Sequence, residues 1–241
     1  MSDRAPAPGR EPGLVLVKVC GLTRRSDVLS ADALGADYVG VVLSEGFSRS
    51  VAPASATALV EGTRARKVAV LVDEDADGAE MRARALGADV VQLHGDEPPE
   101  LLAELRRRGP WTLWKAVRAD SIEDVDQALA RHAAVADGIL VEGWRPGRPG
   151  GAGARLVIDP PQLRARMPAD LDLVLAGGLT AQNVADAVER FRPDVVDASS
   201  GLERAEGAKD AGLVRRYIVA ARAAARRAAT VGPAPAAHER R

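Results

Sequence analysis

Four residues of this 241-residue chain combine a reactive side chain with a position that would present it: Cys20, Arg49, His94 and Glu142. Cys20 is the one cysteine, so no intramolecular disulfide forms. It closes the aliphatic run LVLVKVC and is followed by Gly21. Free cysteines are often buried core residues. At a strand exit the thiol can instead act as base or nucleophile if its pKa is lowered. Glu142 sits in another apolar run, GILVEG. Partial desolvation there would raise its carboxyl toward that of a usable general acid, and a solvated loop carboxylate is the alternative. Arg49 follows Phe47-Ser48 and can clamp a carboxylate through two parallel hydrogen bonds, or serve as plain surface charge. His94 is one of three histidines and reads as hydrogen-bonded structure or as a ligand contact. No second His, Cys or carboxylate stands at metal-ligand spacing from it, so no metal is expected.

Two small-residue stretches late in the chain suit an anion. AGGL carries Gly177 and Gly178, and SSGLE carries Ser199, Ser200 and Gly201. Glycine lets the backbone approach an anion closely, and the serine hydroxyls can donate to it. Either stretch alone reads equally as a turn. Their paired placement favours a small phosphorylated ligand.

These residues need a scaffold that gathers them. Short aliphatic runs begin near Leu14, Asp37, Lys67, Asp89, Thr112, Asp137, Asp172 and Asp194, and charged helical segments separate them. The spacing accommodates one strand, one helix and two loops per unit, and eight such units make a barrel. Runs such as KVAVLV and DLVLA suit parallel strands buried on both faces. RSDVLSADALG reads as a helix stopped by Gly35, and TAQNVADAVERF as one capped by Thr180. The pentapeptide ALGAD occurs at 33–37 and again at 85–89, each time before an aliphatic run.

An open doubly wound sheet would carry its glycine-rich loop after the first strand. Here that place reads Cys20-Gly21-Leu22-Thr23, and the glycines come late. The expected fold is therefore α/β, a single-domain (β/α)8 barrel over 13–229, with disordered tails at 1–12 and 230–241. Its active site belongs at the C-terminal strand ends, where all the residues named above fall.

Composition sets the remaining bounds. Hydrophobic residues make up 46% and aromatics only 3%, which predicts a core of Ala, Val and Leu. A net charge of −1 gives no reason to expect nucleic acid or a membrane surface as partner. No signal-peptide pattern and no run of ~20 apolar residues is present, so a cytoplasmic location is expected. No exposed apolar stripe stands out, which suggests a monomer.

Several of these segments resemble one enzyme family. KVCGLTRRSD (18–27), VQLHGDEPPE (91–100), LAGGLTAQNV (175–184) and VDASSGLE (196–203), with Gly207 and Lys209-Asp210 beyond, are similar to motifs of the phosphoribosylanthranilate isomerases. The resemblance implies a cofactor-free Amadori rearrangement of an aminoaldose to an aminoketose in tryptophan biosynthesis. It implies Cys20 as general base, Glu142 at the place of the family's aspartate acid, and Arg49 as the arginine holding the anthranilate carboxylate. Two departures stand out. The acid is a glutamate, and GGAGARLVI (150–158) keeps the family's glycines but loses its hydroxyl, lysine and Asp-Trp pair. These motivate two alternatives: a diverged relative isomerising another phosphosugar amine, or a non-catalytic barrel that binds a phosphorylated ligand.

Overall fold

The computed structural model describes residues 13–143 and 158–231; the expected tail at 1–12, most of that at 230–241 and nearly all of the altered stretch 150–158 lie outside them. Among the described residues strands and helices alternate from the first strand to the eighth. The order is β1 (Leu16–Val19), α1 (Arg25–Ala33), β2 (Tyr38–Val42), α2 (Pro53–Val60), β3 (Arg66–Leu71), α3 (Ala76–Leu86), β4 (Val90–Leu93) and α4 (Pro99–Arg108). It continues with β5 (Thr112–Ala119), α5 (Ile122–His132), β6 (Gly138–Gly143), α6 (Pro160–Arg166), β7 (Asp172–Ala176), α7 (Val184–Phe191) and β8 (Val195–Ala198). A small hairpin, β9 (Glu203–Ala205) and β10 (Ala208–Lys209), precedes the last helix, α8 (Ala211–Val231). Strands β1 to β8 pair in parallel in sequence order, and β8 pairs back with β1 to close the barrel. Helix α8 continues to Val231, past the expected boundary at 229, because its Ala- and Arg-rich sequence favours helix throughout.

A repeated device registers the strands at the barrel's N-terminal end. Asp37, Asp89, Asp137 and Asp194 each stand one residue before an even-numbered strand. Their carboxylates accept the backbone N–H of Val17, Lys67, Leu113 and Leu173 on the preceding odd strand, at 2.8, 2.7, 2.8 and 2.8 Å. Each aspartate's own N–H donates to the carbonyl of that same residue. A net hydrogen bond of this kind stabilises by about 0.5–1.5 kcal/mol. The ALGAD echo is thereby explained: its glycines, Gly35 and Gly87, take positive φ just past α1 and α3, and its aspartates make two of the four clamps.

Side chains alternate along each strand. On β1, Val17 and Val19 face the helices, while Leu16, Lys18 and Cys20 face the axis. Val68, Val70, Leu140 and Val174 fill the interior as expected. The interior also holds Tyr38 and Trp114, packed edge-on with ring centroids 5.0 Å apart. The aliphatic-only core expected from composition is therefore corrected: two of the seven aromatics plug the barrel, and Arg66 ties the Tyr38 hydroxyl at 3.0 Å.

The Thr180 cap is corrected in part: its hydroxyl accepts the Gln182 N–H at 3.2 Å and its carbonyl the Val184 N–H at 3.1 Å, but in a turn ahead of the helix. Helix α7 begins only at Val184, after Asn183. The Asn183 side chain accepts the Thr180 N–H at 2.7 Å and donates to the Gly178 carbonyl at 2.9 Å. That closes a turn which keeps Thr180 outside the helix.

Candidate active site

A cavity of about 550 Å³ opens at the C-terminal mouth of the barrel. Its walls include Cys20, Arg49, His94, Glu142, Gly177, Gly178, Ser199, Ser200 and Gly201, so all nine residues singled out from sequence line one space. Strand alternation accounts for the strand-borne part of the wall. Cys20, Gln92, Glu142, Ala176 and Asp197 share the inward parity of their strands.

Cys20 lies over a glycine. A Cβ on Gly40 would come within 2.8 Å of its Sγ and 3.2 Å of Lys18 Nζ, so the thiol and the ammonium share the space Gly40 leaves open. Lys18 is fully buried and paired with Asp197 at 2.8 Å. Burial would pull the Lys18 ammonium down, but Asp197 and the thiol site hold it above its usual value, so it stays charged. Burial pushes the Cys20 thiol up; Lys18 and Lys209 oppose this without cancelling it. The lowered thiol considered from sequence is therefore corrected: Cys20 rests protonated, beside the cation that would receive its thiolate.

Glu142 differs in the same instructive way. It is buried at 5% exposure, and burial alone pushes its carboxyl up, as the sequence suggested. His94 Nε2 at 3.1 Å and Arg118 Nε at 3.4 Å outweigh that and hold it below the usual carboxylate range. Gln92 Nε2 donates to His94 Nδ1 at 2.8 Å, which leaves the His94 proton on Nε2, directed at Glu142. His94 thus contacts the acid candidate itself. Gln92, Arg118, Lys18 and Asp197 were not selected from sequence; the inward parity of their strands was the signal available.

The side of the cavity where the sequence leads one to expect an anion is built from two touching loops. Gly177 and Gly178 take φ of 87° and 62°, a backbone that favours glycine. A Cβ on Gly201 would run into the Leu179 carbonyl, so the loop after β8 packs directly on the loop after β7. Ser199 and the short 3-10 turn Ser200–Leu202 complete this wall. Arg49 reaches across from the β2–α2 loop and makes a two-pronged ion pair with Glu203, Nε–Oε1 2.8 Å and Nη2–Oε2 2.7 Å. Among the described residues no group of three or more His, Cys, Asp or Glu could hold a metal ion.

The sequence profile for N-(5'phosphoribosyl)anthranilate (PRA) isomerase matches residues 17–220, most of the chain. The chain belongs to that family. A relative from Chromohalobacter salexigens, an N-(5'-phosphoribosyl)anthranilate isomerase, is 41% identical over 206 residues, covering 84% of this chain and 92% of its own. The solved phosphoribosyl anthranilate isomerase from Thermotoga maritima superposes with a TM-score of 0.78 at 32% identity, covering 87% of this chain and 100% of that one. A PRA isomerase crystallised with reduced 1-(o-carboxyphenylamino)-1-deoxyribulose 5-phosphate gives 0.74 at 31% identity, with coverages of 87% and 100%. Within the family frame, the cavity pairs a thiol on β1 with a carboxylate on β6, three strands away around the ring.

Proposed function

We propose that this chain isomerises N-(5-phosphoribosyl)anthranilate by general acid–base catalysis, with Glu142 as acid and Cys20 as base. The carrying observation is one cavity that holds both groups together with a glycine- and serine-built anion wall. The substrate phosphate would lie against Gly177, Gly178 and the Ser199–Gly201 loop, and its carboxylate against Arg49. Glu142 protonates the furanose ring oxygen, and the ring opens to a Schiff base. Cys20 then takes the proton from C2 of the ribose, and the enolamine tautomerises to the ketone. Electrons stay within the substrate, so the cycle calls for no external oxidant or reductant.

The resting protonation supports an acid–base pair. The reaction starts from a thiolate and a carboxylic acid, whereas the free site holds a thiol and a carboxylate. Both arrangements carry one proton, so the working state is reached by moving it, with Lys18 stabilising the thiolate. Monomeric assembly is the companion reading: among the described residues the large exposed apolar side chains Leu14, Leu29, Phe47, Met81 and Val219 stand on separate segments. Rescue of a tryptophan auxotroph lacking this isomerase tests the function. Growth with the wild-type gene and none with Cys20→Ser or Glu142→Ala is expected; no growth with the wild-type gene would contradict it.

A further inference from the structure

Glu203 is a carboxylate that the reaction scheme leaves unused, and it stands behind the cavity wall, bound to the lining residue Arg49. Its side chain is only 5% exposed and bears two cations: Arg49, through both carboxylate oxygens, and Lys209, at 2.8 Å from Oε1. A buried carboxylate is costly unless paired and hydrogen-bonded, and this one is fully paired. The hairpin β9–β10 places the partners, since Lys209 stands opposite Glu203 in its register. Lys209 N–H is anchored on Asp27 at 2.9 Å, and Thr23 Oγ1 donates to the Gly207 carbonyl at 2.8 Å, which fixes the hairpin to the segment after β1. Lys209 Nζ also donates to the Ser199 carbonyl at 3.1 Å.

The arginine gains a defined pose from this. Glu203 takes Nε–H and one Nη2–H, which leaves three of the five guanidinium N–H groups on the other edge. Among the described residues that edge meets Ser48 Oγ at 3.4 Å and the exposed Glu206 at 3.7 Å. Gly21 makes the pose possible, because a Cβ there would lie 2.6 Å from both Arg49 Cδ and Ser199 Oγ. Arg49 therefore crosses the β1 exit over Gly21, on which Ser199 also closes, held by a carboxylate from the hairpin that follows the Ser199–Gly201 loop.

We propose that Glu203 is a positioning residue that aims the free edge of Arg49 at the substrate's carboxylate and fixes its distance from the Ser199–Gly201 phosphate wall. This rests on the isomerase reading given above. Substrate length is then measured between two anion sites joined by one buried ion-pair network, and the selected ligand class is a phosphosugar amine whose amine carries a carboxylate.

The test compares N-(5-phosphoribosyl)anthranilate with carboxylate-free N-(5-phosphoribosyl)aniline on the purified full chain and its Glu203→Gln variant. For Glu203→Gln, KM for the carboxylated substrate is expected to rise about 10- to 100-fold, the range for hydrogen bonds to charged groups. Its kcat should change less than about threefold, and the preference over the aniline compound should fall by the same factor as KM rises. Equal losses on both substrates, a loss in kcat alone, or no loss would overturn the proposal while leaving the isomerase reading intact. A wild-type chain inactive on both compounds would overturn that reading and the proposal with it. Should Glu203→Gln not fold, Glu203→Asp, which keeps the charge on Lys209 but withdraws the anchor from Arg49, is read the same way. If neither variant folds, Glu203 is structural and the proposal is wrong.

Discussion

Replacing Glu142 by aspartate, the family's own residue, is expected to slow this enzyme rather than improve it. The carboxyl withdraws by one carbon–carbon bond, about 1.5 Å. His94 Nε2 now stands 3.1 Å from the carboxylate and Arg118 Nε 3.4 Å. Withdrawal on that scale takes both beyond hydrogen-bond range. Misplacing a catalytic group by about 1 Å can cost about 100-fold, so kcat should fall by about 10- to 100-fold. The two contacts that hold the carboxyl down are lost while its burial remains, so its pKa should rise. Glu142→Gln keeps the length and both acceptor contacts but has no proton to give, and should lose about 100- to 10,000-fold. The assay is the loss of substrate fluorescence at saturating concentration, with thermal unfolding checked for each variant. The expected order is wild type, then Glu142→Asp, then Glu142→Gln. An aspartate variant as fast as wild type, or a glutamine variant matching the aspartate one, would refute the reasoning.

Three further outcomes follow from the same geometry. Because the carboxyl is held low and the thiol high, kcat/KM should be flat from roughly pH 5 to pH 8, falling outside the ordinary carboxylate and thiol ranges; a sharp bell centred near neutrality would contradict it. His132 is 4% exposed, and burial with Lys115 and Arg131 nearby pushes it down to about 4, so it stays neutral in the fold but titrates near 6.5 when unfolded. The unfolded chain binds the extra proton in that window, so stability should fall by as much as about 2 kcal/mol between pH 7 and pH 5. Urea unfolding of wild type and His132→Gln at both pH values checks this, since the variant should lose most of the difference. Gly21→Ala puts a side chain at a φ of 68° and 2.6 Å from Arg49 Cδ and Ser199 Oγ. About 1–2 kcal/mol of backbone strain and a raised KM are expected, read by thermal unfolding and steady-state kinetics.

The barrel was readable because its signal is local. Each aliphatic run begins within two residues of a strand, and ALGAD carried both a helix stop and a strand clamp. That the nine chosen residues would line one cavity was readable for the same reason, since strand exits announce themselves as polar residues ending apolar runs. The behaviour of the site was not. The charge state of Glu142 is decided by His94 and Arg118 at the ends of other strands, and that of Cys20 by its burial, which Lys18 beside the same glycine opposes without cancelling. Arg49 looked like an isolated loop arginine because its partner, Glu203, lies 154 positions away. Thr180 looked like a helix cap because its competitor Asn183 shows itself only through the turn it closes on Gly178.

One measurement addresses the acid–base pair most directly. The purified chain is given freshly prepared N-(5-phosphoribosyl)anthranilate carrying deuterium at C2 of the ribose, beside the unlabelled compound. Turnover by the wild type, slower with deuterium, and its loss by at least about 100-fold in both Cys20→Ser and Glu142→Gln are the expected results. A wild-type chain that leaves the substrate unchanged, or a Cys20→Ser variant as active as wild type, would contradict the assignment.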